Sequence, residues 1–324
     1  MGNRLDHVDI AKGIGIILVV CSHTDALPLM WLFMGMFVPV FYFCSGYTFS
    51  QKSALGPSMG KRFRKLMAPY IVFNVLLFCV FRHFSLREVL GAVYSRYSLY
   101  PLAVEPNVKF LTSGNYPMWF LTSMLVTYLL FYLIVYYERH RTYTIAAYVV
   151  ATIAFAWCPV LLPWSIDTAA LTALFMYCGH MARRHQWLSV SRRWVLLIAV
   201  LYVALHLVAG TINLSVRMYG TSVFIYFFLG VAGSFLLLWA CRYLENTRAG
   251  SVLLALGRHS LTIFCLQMAF IVPAKALWQH LFPDVQTAIA GGLFQMLVAL
   301  AGGWLLSILL HRSRRLSRLL QFTS

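Results

Sequence analysis

Apolar residues run through this chain in stretches of about twenty, broken by short polar or basic segments. That is the pattern of helices crossing a hydrocarbon layer about 30 Å thick. Ten stretches can be marked, at residues 10–27, 31–50, 66–81, 118–137, 142–162, 168–182, 194–212, 220–241, 258–275 and 286–310. An even number of crossings puts both termini on one side, and the basic residues say which. With the amino terminus in the cytoplasm, 20 of the 26 Lys and Arg residues fall in inner segments. Arg82, Arg87, Arg96, Lys109, Arg217 and Lys275 fall outside. Because cytoplasmic segments collect Lys and Arg, both the N-terminus and the C-terminus are expected to be cytoplasmic. The expected fold is an all-α polytopic membrane protein of about ten transmembrane helices, a multi-pass protein of the cell (inner or plasma) membrane.

Residues 1–324 read as a single membrane domain without internal repeat or low-complexity tract. One connection is long: residues 82–117, "RHFSLREVLGAVYSRYSLYPLAVEPNVKFLTSGNYP", form an extracytoplasmic loop rich in Tyr, Arg and Pro. A loop of that size is usually functional or lies along the surface. Residues 311–324, "HRSRRLSRLLQFTS", read as a basic cytoplasmic tail that anchors on anionic lipid.

Composition agrees with the pattern. The chain is 61% hydrophobic and 11% charged, with a mean hydropathy of +0.76, more apolar surface than a soluble domain of this length can hide. A net charge of +17 would suit nucleic acid, but the cations sit in short runs between apolar stretches, so membrane lipids and not nucleic acid are the expected partners. Cys21, Cys44, Cys79, Cys158, Cys178, Cys241 and Cys265 all fall in or beside those stretches without metal-ligand spacing. They read as reduced, buried small hydrophobes, and no metal site is expected. Residues 10–22 could pass for a signal-peptide core, but Lys12 interrupts it and no small-residue cleavage site follows. "LVVC" has bulky Val20 where a lipoprotein box has a small residue, so neither kind of cleavage is expected.

Candidate chemistry begins at "DIAKGIGIILVVCSHT", residues 9–24. Lys12 and His23 are eleven positions apart. On an α-helix that is about three turns, roughly 16 Å of rise, with the side chains within about 20° of one another. The two would share a stripe, Lys12 near the surface and His23 deep. An isolated histidine at a helix end is often only a hydrogen-bonded or interfacial residue, and a lysine there often snorkels to headgroups. Ionisable groups inside spans are costly, however, and tend to face a wet cavity. Histidine is also the side chain best suited to move protons near neutral pH. Asp9 can pair with Lys12 at i,i+3. Gly13 and Gly15 would let a neighbouring helix or an extended ligand come close.

Two further segments add to this. "GPSMGKRFRKLMAPY" carries Lys61, Arg62, Arg64 and Lys65 just before the third stretch. Such a run commonly sets topology, and it would also bind a phosphorylated ligand at a cytoplasmic mouth. In "FVPVFYFCSGYTFS", Pro39 breaks a helix and Ser45–Gly46 offers a small polar gap.

In this order, the three features resemble the acyltransferase-3 family of membrane acyltransferases, and most nearly its fucose-4-O-acetylase-like branch. "VDIAKGIGIILVVCSH" reads like the family's Asp, then Arg or Lys, ten residues, then His. "FYFCSGYTF" is similar to its Phe-rich stretch ending in Ser-Gly-Tyr, and "KRFRKLMAPY" to its basic Arg-x-x-Arg segment, here Arg62 and Lys65. "PMWFLTSMLVTYLL" is like its Trp-Phe-Leu span and "LGRHSLTIFCLQM" like its late Gly-x-x-Ser-Leu segment. The branch often has a histidine ahead of the Phe-rich stretch and another late in the penultimate span; this chain has Phe37 and Gln267 there. His23 is left as the stronger candidate for the base.

The resemblance implies a bacterial O-acyltransferase, most simply an O-acetyltransferase, that moves an acyl group from cytoplasmic acyl-CoA to a hydroxyl of a cell-surface sugar or polysaccharide. Acyl-CoA, acetyl-CoA above all, would be a co-substrate, with no cofactor bound. Lys12, Arg62, Arg64 and Lys65 would hold the donor, supported by Asp9, Ser45 and Gly46. His23 would be the catalytic base or a transient acyl carrier. Tyr94, Tyr97, Tyr100 and Tyr116 of the long loop, with Trp119, suit stacking on the sugar, and Tyr116 and Trp119 are the expected acceptor-binding residues. The competing class is a carrier or flippase for a lipid-linked sugar. Transporter folds often show repeat symmetry, which this chain lacks. A structural scaffold would explain neither Lys12 nor His23.

Overall fold

The computed structural model describes residues 5–50, 54–81, 85–101, 116–283 and 288–313. Lys52, Arg82, Lys109, most of the 82–117 loop's second half and the tail beyond residue 313 lie outside these. Twelve α-helices are described: α1 (Asp6–Cys21), α2 (Pro39–Tyr47), α3 (Leu55–Phe81), α4 (Leu86–Tyr94), α5 (Trp119–Tyr136) and α6 (Arg141–Ala156). They continue with α7 (Ile166–Arg184), α8 (Arg192–Ala209), α9 (Val223–Cys241), α10 (Arg248–Arg258), α11 (Ser260–Leu281) and α12 (Ala288–Arg312). A two-stranded antiparallel ribbon, β1 (Ile212–Asn213) and β2 (Met218–Tyr219), pairs Ile212 with Tyr219.

All helices but α4 and α10 fall on the ten apolar stretches, with different extents. Among the described residues six are long and apolar enough to cross a membrane: Leu55–Phe81, Tyr116–Tyr136, Arg192–Ala209, Val223–Cys241, Ser260–Leu281 and Ala288–Arg312. This is an all-α membrane fold. The 31–50 stretch is not one continuous helix. It is a 3-10 turn at Met30–Phe33 followed by α2, which starts at Pro39, where a missing N–H costs nothing, and has nine residues. Nine residues rise only about 13 Å.

α3 also corrects the expectation. At 27 residues it carries the Lys61–Lys65 run within the helix and not ahead of it. α4, inside the long loop, is started by a capping box in which Ser85 and Glu88 satisfy each other's backbone N–H. α10 is begun by Thr247, whose hydroxyl accepts from Gly250 N at 2.9 Å.

The helix bearing the Lys12 motif is central. α1 packs against α2, α9, α10, α11 and α12, and Val8, Ile10, Ala11, Ile16, Val19 and Val20 are all buried. Gly13 decides how α10 approaches: a Cβ there would overlap the Leu253 carbonyl, so the space is taken by a helix and not by a ligand. Gly46 behaves likewise. Its place is filled by the α7 backbone at Met176, so it packs two helices and opens no gap.

Hydroxyls add directional links between these helices. Tyr42 of α2 meets Ser123 of α5 at 2.8 Å, and Thr127 of α5 meets Thr172 of α7 at 2.6 Å. Each such bond inside a bilayer stabilises by about 0.6 kcal/mol. Ile71, Val75 and Val80 on α3, Leu196, Val200 and Leu207 on α8, and Leu297, Leu305 and Leu309 on α12 face outward, as lipid contact requires. The same outward face of α3 leaves Cys79 exposed. Cys158 and Cys178 are half-buried, while Cys21, Cys44, Cys241 and Cys265 are buried, and all seven are free.

Candidate active site

α1 ends at Cys21, two residues before His23. The chain leaves in a tight turn, with His23 N bonded to Val20 O at 3.0 Å and Thr24 N to Cys21 O at 3.1 Å. Asp25 follows in the left-handed region at φ 53°. His23 is therefore not carried by the helical stripe of Lys12. Its ring is held from outside α1: Tyr116 Oη lies 2.6 Å from Nδ1, and the rings meet edge to face with centroids 5.2 Å apart. With the proton on Nδ1 and donated to Tyr116, Nε2 keeps its lone pair. Among the described residues no partner meets Nε2.

His23 lines a chamber of about 270 Å³ with Ser22, Phe37, Tyr116, Trp119, Asn213, Ser215 and Tyr226. Phe37, where the resembled branch often has histidine, does face this chamber. Gln267 does not: it is fully buried and its Nε2 donates to Phe264 O at 3.1 Å. Of the loop tyrosines, Tyr97 packs edge-on against Tyr116 at 5.7 Å, and Tyr94 donates to Leu161 O at 2.7 Å. Tyr116 and Trp119 line the chamber, whereas Tyr94, Tyr97 and Tyr100 do not.

A second chamber, about 360 Å³, is lined by Asp9, Lys12, Ser45, Arg62, Lys65, Arg258, His259 and His311. Lys12 Nζ stands 3.3 Å from Asp9 Oδ1, so the i,i+3 pair forms. Ser45 donates to Phe41 O at 2.7 Å. Arg62 reaches inward until its guanidinium lies 4.5 Å from the centre of the Tyr128 ring, a cation–π contact. Lys65, three residues on, shares that face of α3. Arg64 does not: it is exposed and lines neither chamber, because i,i+3 spacing pairs it with Lys61 on another face. Of the four cations expected to hold the donor, Arg64 is the one that does not line this chamber.

The two chambers share one wall. Phe41, Phe120 and Phe264 line both, with Phe120 5.8 Å from Phe41 and 5.2 Å from Phe264 between ring centroids. Lys12 and His23 thus stand on opposite sides of a partition of three phenylalanines.

Three groups in the basic chamber escaped the sequence reading. Arg258 and His259 precede α11, and His311 lies in the last turn of α12. His259 Nδ1 lies 2.9 Å from Ser307 Oγ, His311 Nδ1 lies 2.7 Å from Ser307 O, and the two rings are 5.1 Å apart. The Arg-His dipeptide inside the late segment was the signal for the first two, and His311 opened the segment read as a basic tail.

A buried charge cluster behind the His23 chamber was also hidden. Arg96 and Arg217, expected only as outer charges, converge on Asp167 at the start of α7. Arg217 Nη1 lies 2.8 Å from Asp167 Oδ2, and Arg96 Nη2 pairs with Oδ1. Arg96 also donates to Leu162 O at 3.0 Å and, from Nη1, to Ser215 O at 2.8 Å, which ties the chamber's Ser215 to the cluster. Burial pulls the Arg96 guanidinium below its usual range, and the Asp167 carboxylate beside it opposes the pull.

Comparison with protein families matches residues 5–309 to an acyltransferase domain. No curated protein and no solved structure matches the chain.

Proposed function

This chain belongs to the acyltransferase-3 family and is a membrane acyltransferase, and on that premise we propose that it moves an acyl group, acetyl in the simplest case, from cytoplasmic acyl-CoA to a sugar hydroxyl of the cell envelope. Its motifs resemble those of the fucose-4-O-acetylase-like branch. The observation that carries the reading is the shared wall of Phe41, Phe120 and Phe264, with Lys12, Arg62 and Lys65 on one side and His23 on the other.

Donor phosphates would rest among Lys12, Arg62 and Lys65, where charge-assisted bonds to phosphate are strongest. The pantetheine arm is long and slender. It would pass the three rings and bring the thioester beside His23. The acceptor would enter from the other side, against Tyr116 and Trp119.

Nε2 of His23 takes the proton from the acceptor hydroxyl as its oxygen bonds to the carbonyl carbon. The carbon–sulfur bond then breaks, and the departing thiolate takes that proton from His23. Tyr116 fixes the ring through Nδ1, the role a second hydrogen bond serves in any histidine base.

Mass analysis of surface glycan from cells with and without the gene tests this. Loss of one acyl mass per acceptor site supports it. Unchanged glycan, with the protein shown to be present in the positive strain, refutes it.

A further inference from the structure

Tyr219 of β2 and Tyr226 of α9 lie stacked, ring centroids 5.6 Å apart and planes 20° from parallel. Both hydroxyls are buried, and among the described residues neither has a hydrogen-bond partner. Buried hydroxyls almost always find one. Their neighbours do: Tyr42 meets Ser123 at 2.8 Å, and Tyr202 donates to Leu32 O at 2.8 Å. Phenylalanine at 226 would keep the edge contact with Phe175 at 5.7 Å and avoid burying a lone hydroxyl.

Place separates the two tyrosines. Tyr226 lines the His23 chamber and Tyr219 does not. The other hydroxyls of that chamber each have a partner. Ser22 donates to Val19 O at 2.7 Å, Ser215 Oγ donates to Asn213 Oδ1 at 2.6 Å, and Tyr116 accepts from His23. Tyr226 is the chamber hydroxyl with no hydrogen-bond partner among the described residues.

We propose that Tyr226 is a catalytic residue that donates its hydroxyl hydrogen to the carbonyl oxygen of the acyl group as it is transferred. This rests on the acyl-transfer reading above. When the acceptor oxygen bonds to the carbonyl carbon and His23 takes its proton, the carbonyl π electrons move onto oxygen. Tyr226 stabilises that oxyanion while keeping its own proton. The charge returns as the carbon–sulfur bond breaks and thiolate leaves. A hydrogen-bond donor in an aromatic-walled chamber acts on the developing charge more strongly than it would in water.

The test is Tyr226→Phe in the full-length protein, reconstituted in nanodiscs, with acetyl-CoA as donor and chemically de-O-acylated envelope glycan as acceptor. The expected result is a kcat about 100-fold below wild type with KM for acetyl-CoA unchanged and thermal stability equal or higher. Tyr219→Phe should keep the wild-type rate. A Tyr226→Phe rate within about twofold of wild type overturns the proposal, as does an equal loss in Tyr219→Phe. A Tyr226→Phe protein that unfolds or melts earlier shows a packing role and also overturns it. If wild type itself transfers nothing, the acyl-CoA reading fails first and takes this role with it.

Discussion

Tyr116 Oη lies 2.6 Å from His23 Nδ1, although 93 positions of chain separate them. The contact joins the turn after α1 to the residue that opens the span of α5, so the imidazole is aimed by a helix other than its own. His23→Ala should abolish acyl transfer while the protein still inserts and folds. Tyr116→Phe should leave a folded enzyme that transfers more slowly than wild type, because the ring loses the bond that sets its tautomer. Glycan acylation at the wild-type level in His23→Ala, at equal protein abundance, would remove His23 from the mechanism.

The cations divide by helix face. Lys12→Gln, Arg62→Gln and Lys65→Gln should each raise KM for acetyl-CoA, by about 10-fold or more for a charge-assisted bond worth about 1.5–3 kcal/mol, with little change in KM for the acceptor. Lys12→Arg should be milder than Lys12→Gln, since phosphate needs the charge first. Arg64→Gln should behave as wild type, because Arg64 is exposed and off the chamber. Steady-state kinetics with donor and acceptor varied separately would read all five.

Sidedness follows from the partition. In proteoliposomes of known orientation, acetyl-CoA supplied on the Lys12 side should support transfer and the same compound on the His23 side should not. Equal use from both faces would contradict a donor path through the phenylalanine wall. Glycolipid crossing unchanged without acetyl-CoA would instead favour a carrier.

Asp167 accepts from both Arg96 and Arg217 and is itself 1% exposed. Asp167→Asn leaves two buried guanidinium groups without their counter-charge. A loss of about 3–5 kcal/mol is expected, the cost of breaking a buried pair by removing one partner. Thermal melts in detergent should show a lower midpoint, and Asp167→Glu should recover part of it. An unchanged midpoint in Asp167→Asn would show that the cluster does not stabilise the fold.

Local information was enough for much of this protein. Apolar run length and the bias of basic residues depend only on neighbouring positions, so the all-α membrane class and most helix positions were legible. So was the Asp9–Lys12 pair, because i,i+3 geometry is internal to one helix. The motifs Lys12-x-x-…-His23 and Arg62-x-x-Lys65 named residues that do line the two chambers. Short elements were harder to see. α4 and α10 are amphipathic pieces of nine and eleven residues, too brief to stand out beside spans of twenty. The 31–50 stretch is apolar throughout, and hydropathy does not tell a broken segment from a whole one.

What remained was decided by contacts between distant parts of the chain. Periodicity placed His23 on the stripe of Lys12, but α1 stops at Cys21, and only Tyr116 of another element aims the ring. Gly46 looked like a gap until the α7 backbone at Met176 filled it. Arg96, Asp167 and Arg217 come from three separated segments, and nothing local marks opposite charges that meet only after folding. The partition is of the same kind: Phe41, Phe120 and Phe264 are three among 24 phenylalanines, ordinary in sequence. Periodicity is a property of one helix, whereas a chamber is a property of the faces that several helices turn toward each other, and those are chosen by packing.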